Sequence, residues 1–154
     1  MKILITGAGG YLGYRFYQHF SLVKSIDEVL ISSTKKASLF PRGNVIELDF
    51  NSVKQLASSI KGVNVIMHLC SLPAVKCSSD ISMARQINVD RTKILIEAAE
   101  LAQVESFIYF STIHVYGPNL TGLIDENSSV YTIMHPYAKT KLEAENLILS
   151  SKIP

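Results

Sequence analysis

The sequence is poor in the features that mark several large protein classes. It has only two cysteines, Cys70 and Cys77, in 154 residues. They show neither CxxC spacing nor a disulfide framework, so they read as two incidental thiols of a reducing cytosol, and the expected location is cytoplasmic. No apolar run approaches the ~20 residues that a membrane span needs. Lys2 followed by ILI looks like the start of a signal peptide, but the apolar stretch is short and Gly7 to Gly13 interrupt it. The net charge is only +2, and no stripe of Lys and Arg interleaves with aromatics, so nothing argues for a nucleic-acid partner. No set of His, Cys, Asp and Glu has metal-ligand spacing. Repeats, low-complexity tracts and linkers are missing too.

What is present suits one globular domain over 1–154. Hydrophobic residues make up 47% of the chain and charged ones 18%, enough to bury a core. KILIT (Lys2 to Thr6) is a short apolar run ending in glycines, which suits a strand buried on both faces. Leu12, Phe16, Phe20 and Val23 then recur at helical spacing. Further strands are expected at EVLIS (Glu28 to Ser32), NVIELDF (Asn44 to Phe50), VNVIMHLCS (Val63 to Ser71) and SFIYFST (Ser106 to Thr112). Helices are expected over Ser52 to Ile60 with Ser52 as cap, Ala84 to Ala102, and Ala138 to Ser150. Residues 33–43 have a weak pattern that fits a loop or a short helix. Strands alternating with helices give an α/β fold, a doubly wound, Rossmann-type parallel sheet of at least five strands.

Three stretches carry chemistry. In TGAGGYLG, Gly7 permits a tight turn after the first strand and Gly9 adds freedom within it. Gly10 leaves room for a diphosphate, and Gly13 lets helix and strand pack closely. The helix N-terminus supplies free N–H groups. The same spacing also fits a plain strand-to-helix turn. In YAKTK, Tyr137 and Lys141 stand four residues apart, on one helix face. A free phenol has a pKa of about 10, and a nearby ammonium lowers it, so the pair can exchange a proton with a carbinol oxygen. A surface Tyr lying along a Lys stem has the same spacing. In FSTIHVYG, Ser111 and Thr112 end the fifth strand, where ligands of open parallel sheets bind, although a strand-ending turn uses the same residues.

Taken together with LDF at Leu48 to Phe50, HLCS at His68 to Ser71 and NVDRTKILIEAA from Asn88, these stretches resemble the extended short-chain dehydrogenase/reductases, the branch of NAD(P)-dependent nucleotide-sugar epimerases and dehydratases. The resemblance implies that Tyr137 is the acid/base and that Lys141 lowers its pKa and holds the nicotinamide ribose. Thr112, with Ser111 as second choice, would bind the substrate hydroxyl. Asn88 would support the site, or serve only its helix. Gly7, Gly9, Gly10, Tyr11, Leu12 and Gly13 would line the phosphate turn. Asp49 and Phe50 would flank the adenine, unless Asp49 is a turn carboxylate. Leu69, Cys70 and Ser71 would border the cofactor. The implied reaction is hydride transfer between a sugar carbon and the nicotinamide while the tyrosine takes the hydroxyl proton.

The sequence also departs from the family pattern. Where NAD-binding members carry an Asp after the second strand, this chain has Ser32, Ser33, Thr34, Lys35 and Lys36. Those hydroxyls and ammonium groups favour NADP over NAD, although two lysines in a solvated loop need no ligand. His68 reads as a packed strand histidine, and His114 and His135 as local structural residues or extra proton carriers. Tyr116 would shape the substrate cleft, and Asn119 to His135 would add part of its wall. Members run on past the Tyr–Lys helix into a further strand and a substrate domain, so the chain is read as an N-terminal part. The resemblance also implies a homodimer through the Asn88 and Tyr137 helices, with Ile94, Ala98 and Leu101 able to face a partner, unless they pack on their own sheet. A catalytically inactive NAD(P)-binding regulatory module and a non-functional fragment are the alternatives on the same fold.

Overall fold

The first strand, β1 (Lys2–Thr6), is buried from Ile3 onward, as its unbroken apolar run requires. In this computed structural model, which describes residues 1–33, 37–118, 120–128 and 135–153, it is the centre of a five-stranded sheet. The other strands are β2 (Glu28–Ser32), β3 (Asn44–Val45), β4 (Val65–His68) and β5 (Ser106–Tyr109). All pairings are parallel, in the order β3-β2-β1-β4-β5. The order reverses between β1 and β4, which is where ligands of such sheets bind.

Side chains of β1 alternate between two cores. Ile3 and Ile5 join Val29, Ile31, Tyr17 and Phe40 on one face, against helix α1 (Tyr11–Phe20). Leu4 joins Leu30, Ile66, Leu56 and Leu95 on the other, against α2 (Val53–Ser59) and α5 (Arg91–Leu101). Leu147 and Ile148 of α6 (Pro136–Leu149) pack on this second core. Short helices α3 (Ala74–Ser79) and α4 (Ile81–Arg85) follow β4. One-turn 3-10 segments occur at Ala37–Leu39 and Ile113–Tyr116.

Several elements differ from the pattern expected of the sequence. The third strand stops at Val45 rather than Phe50. It is an edge strand, and after Ile46 N–H bonds to Ile31 O at 2.8 Å the chain leaves its only partner. The long helix begins at Ile81, where the Asp80 side chain caps it through Met83 N–H at 2.8 Å. It also contains a π-helical stretch, Gln86–Asp90. Helix α1 buries Gly13 and Tyr17, whereas Leu12 is 51% exposed. Ser52 caps α2 through Gln55 N–H, as expected. Ala98, one of the three residues offered to a dimer partner, is fully buried in its own subunit's core. Among the described residues, no helix is long and apolar enough to cross a membrane.

Candidate functional site

The glycines divide the work at the β1–α1 turn. Gly7 has φ +71, and a Cβ there would lie 2.7 Å from Cys70 N, so the ends of β1 and β4 meet at that point. A Cβ on Gly13 would lie 2.5 Å from Gly7 O, which shows how closely α1 is seated on the turn. Gly10 is exposed, and a Cβ there would meet only Gly7 O, at 3.3 Å. It is the N-cap of α1, with no side-chain cap and no acidic residue in the first turn. The helix therefore presents its N–H groups and partial positive charge to open space. The uncapped N-terminus of a ten-residue helix beside an exposed glycine suits an anion, so the residues present fit the diphosphate of a dinucleotide.

Behind the turn runs a buried polar chain. Thr92 Oγ1 donates to Asn88 O at 2.9 Å and lies 3.0 Å from His68 Nε2. A hydroxyl has one proton, so Thr92 accepts from His68, and Nε2 carries the hydrogen. Burial holds the imidazole neutral, its pKa lowered from 6.5 to about 3, with the Lys141 charge adding to the effect. Nδ1 is then an acceptor and takes the Thr6 hydroxyl proton at 2.6 Å, while Thr6 Oγ1 accepts from Cys70 N–H at 3.4 Å. His68 also stacks on Tyr109, with ring centroids 5.8 Å apart. It is a packed strand histidine, as expected, and its tautomer is fixed by its two threonines.

Asn88 lies in the π-helical stretch and is buried. Its Oδ1 accepts from Leu72 N–H at 2.7 Å, and its Nδ2 donates to Thr140 Oγ1 at 3.0 Å and Cys77 Sγ at 3.6 Å. Thr140 in turn bonds to the carbonyls of Pro136 and Tyr137. Asn88 thus ties the loop after β4 to the first turn of the Tyr–Lys helix. His135 caps that helix, Nδ1 accepting from Tyr137 N–H at 3.2 Å, while its Nε2 lies 3.1 Å from Ser78 Oγ.

Tyr137 is half-buried against Leu72 and Cys77 in the segment after β4, and its phenol interacts with Ser71 there. The expected lowering of its pKa is not present. Burial raises the phenol above its ordinary value and outweighs the Ser71 bond. Lys141 is 2% exposed; its ammonium donates to Phe110 O and sits 3.9 Å over the Tyr109 ring. Desolvation lowers its pKa from 10.5 to about 8, opposed by Cys70 and Glu145.

The remaining expected residues fall in different places. Thr112 Oγ1 accepts weakly from His114 N–H at 3.4 Å and opens onto a groove of about 570 Å³ beyond β5, shared with Ser111, Tyr116 and Glu145. Ser111 donates to Glu145 of α6. Asp49 accepts from Asn51 N–H at 2.9 Å, as a turn carboxylate does. Phe50 lies under the Arg91 guanidinium, 5.3 Å from the ring centroid. Leu69, Cys70 and Ser71 are half-buried beside the turn, and Tyr11 and Leu12 are exposed on it. Gly9, Gly10 and Tyr11 also border a groove of about 560 Å³ with Tyr14, Arg15 and Gln18. Ser32 O accepts from Gly7 N–H at 3.1 Å. Thr34, Lys35 and Lys36, and part of the Asn119–His135 stretch, lie outside the described residues.

Four contributors escaped the sequence reading: Thr6, Thr92, Glu145 and Arg91. Glu145 follows Lys141 by four residues, so helical spacing could have revealed it. The others depend on contacts between distant segments.

The chain is similar to known proteins over nearly its whole length. The profile of the 3-beta hydroxysteroid dehydrogenase/isomerase family matches residues 4–152. The uncharacterized UDP-glucose epimerase YtcB of Bacillus subtilis (strain 168) is 31% identical, over 96% of this chain and 50% of that protein. UDP-glucuronic acid 4-epimerase from Bacillus cereus, solved with UDP-glucuronic acid and NAD, superposes with a TM-score of 0.85 at 26% identity, covering 100% of this chain and 54% of the other. MoeE5, solved with UDP-glucose and NAD, gives 0.82 at 29% identity, over 97% and 48%. The chain spans about half the length of these relatives.

Proposed function

The chain belongs to the 3-beta hydroxysteroid dehydrogenase/isomerase family, within the extended short-chain dehydrogenase/reductases that include the nucleotide-sugar epimerases and dehydratases, and from that premise we propose that residues 1–154 are the dinucleotide-binding domain of an NAD(P)-dependent enzyme acting on a nucleotide sugar. One observation carries the reading: the open glycine turn, the end of β4 and the Tyr137 phenol converge where the strand order reverses.

In the proposed mechanism the first turn of α1 receives the diphosphate on its N–H groups. A bound nicotinamide dinucleotide supplies hydride acceptance and donation. Thr112, with Ser111 beside it, hydrogen-bonds the reacting hydroxyl and orients it. Tyr137 takes the hydroxyl proton and later returns it. In this structure burial keeps the phenol protonated, and the Lys141 ammonium, still mostly charged at neutral pH, is the nearest means of stabilising a phenolate along the same helix face. Asn88 and Thr140 hold the backbone that carries Tyr137. NAD accompanies the two solved relatives, while the hydroxyls and ammonium groups of Ser33 to Lys36 favour NADP in this chain. A homodimer through α5 and α6 is proposed with Leu101, 59% exposed, as a contact.

Calorimetry of residues 1–154 with NAD and with NADP tests the domain assignment: micromolar binding of either supports it, and no binding of both refutes it. In the full-length protein, Tyr137→Phe should abolish turnover of a UDP-sugar and leave dinucleotide affinity within about twofold. Unchanged turnover would remove Tyr137 from the mechanism. Tight dinucleotide binding with no hydride exchange on any UDP-sugar would instead identify a regulatory binding module.

A further inference from the structure

Arg91 opens α5 and is exposed. It takes no part in the three ion pairs found among the described residues, which involve the N-terminus with Asp27, Lys2 with Glu28, and Arg85 with Glu143. Its guanidinium is nevertheless localised. It lies over Phe50, 5.3 Å from the ring centroid. The helix neighbour of Arg91, Thr92, lies with Oγ1 3.0 Å from Nε2 of His68, the last residue of β4. Cys70, two residues on, is the residue whose backbone N would be 2.7 Å from a Cβ on Gly7. Arg91 therefore stands between the carboxyl end of β4 and Phe50 in the segment that follows β3.

The glycine turn carries no cationic side chain of its own to balance a diphosphate. Lys141 is buried and bonded to Phe110 O, and Arg15, one turn into α1, lies over Tyr11 in the groove that Gly9 and Gly10 border. A guanidinium has a flat face that stacks on rings and an edge of N–H donors that matches phosphate oxygens. The geometry points to Arg91 as a binding residue for the adenosine diphosphate half of the cofactor. Its face lies on Phe50, and its edge would supply N–H donors to phosphate oxygens. This assignment rests on the dinucleotide reading proposed above.

The test uses calorimetry of the same chain with NAD and with ADP-ribose, which lacks the nicotinamide. Arg91→Ala should weaken both ligands equally, by roughly tenfold, the low end for hydrogen bonds to charged groups. Arg91→Lys should recover only part of the loss, because an ammonium neither stacks flat nor forks. Lys61→Ala, an exposed lysine between α2 and β4 at the amino end of the sheet, should leave both affinities within about twofold and serves as the control for a general loss of charge. Arg91 is exposed, so these variants are expected to fold, and a circular dichroism melt verifies it. Unchanged affinities in Arg91→Ala, or an equal loss in Lys61→Ala, would overturn the role of Arg91 while the dinucleotide reading stands. If the unmodified chain binds neither ligand, both fall together.

Discussion

Replacing Lys141 by Met should change how the stability of the fold depends on pH. The Lys141 ammonium is buried, and its pKa falls from 10.5 to about 8. A cation with a depressed pKa contributes its full stability above the unfolded value and loses it as pH falls through the folded value. Between pH 8 and 10.5 the unfolded chain therefore holds the extra proton, and the folded state gains as pH rises. Relative to Lys141→Met, the wild-type chain should gain about 1.4 kcal/mol from pH 7 to pH 9 and about 2.5 kcal/mol by pH 10. That corresponds to a relative rise in Tm of about 5–10 °C at pH 10 for a chain of this size.

The comparison with a variant is needed because four other groups titrate in the opposite sense. Burial raises the pKa of the Tyr109 and Tyr137 phenols and of the Cys70 and Cys77 thiols, so each stabilises the fold below its ordinary value and loses that contribution above it. All four remain in Lys141→Met, and the difference between the proteins isolates the lysine. Urea unfolding of each at pH 7, 8, 9 and 10 provides the measurement. A difference that stays flat from pH 7 to 10 would refute the claim that the ammonium is held desolvated over Tyr109, and would mean that water reaches it.

Other perturbations read other parts of the site. His68 has its pKa lowered to about 3, so the fold should lose stability as pH drops below 6.5, by about 2 kcal/mol at pH 5; His68→Gln should remove that dependence, and a wild-type curve flat over this range would contradict a neutral buried ring. Thr92→Val removes the acceptor for His68 Nε2–H. Imidazole nitrogen NMR should then show the proton moved to Nδ1, facing Thr6, and Thr92→Ser should restore the original tautomer; an unchanged spectrum in Thr92→Val would refute the donor assignment. Gly13→Ala forces a methyl against backbone at 2.5 Å and should cost about 1–3 kcal/mol. Gly10→Ala meets only one atom, at 3.3 Å, so it should unfold at nearly the same urea concentration while binding NAD at least several-fold more weakly; equal destabilisation of the two would contradict the division of roles.

The strand positions were legible because β1, β2 and β4 are short apolar runs between glycines and polar residues, and such runs have few other solutions. Their ends were not. NVIELDF has the composition of a longer strand, but pairing depends on whether a neighbour exists, and beside Ile46 it ends. Spacing showed that Tyr137 and Lys141 share a helix face, but a surface Tyr along a Lys stem has the same spacing, and only the other motifs beside it gave the pair a role. The sign of the Tyr137 shift was not legible, because burial raises it and outweighs the Ser71 bond, and both depend on a segment sixty or more positions away. Ser111 and Thr112 are neighbours in sequence, yet one bonds to Glu145 and the other caps a 3-10 turn. Arg91 could not be singled out from the sequence, since its place over Phe50 depends on how α5 packs beside the chain after β3.

The two halves of the proposed site share one buried support. Cys70 N–H, Thr6, His68, Thr92 and the Asn88 carbonyl form a chain in which each donor has a single acceptor, and the Asn88 side chain carries the connection on to Thr140 and the Tyr137 backbone. The groups are short and sit on strands and helices, so few rotamers satisfy them, and leaving one unpaired inside the core costs about 1–3 kcal/mol. Such a chain fixes the phosphate turn and the phenol relative to each other before any ligand arrives, which is what a proton transfer of hydrogen-bond length demands. Thr112 lies outside this support, with one weak bond beside an open groove. The distance between the glycine turn and the Tyr137 phenol is therefore set within this chain, whereas the placement of the proposed substrate hydroxyl is left to whatever fills that groove.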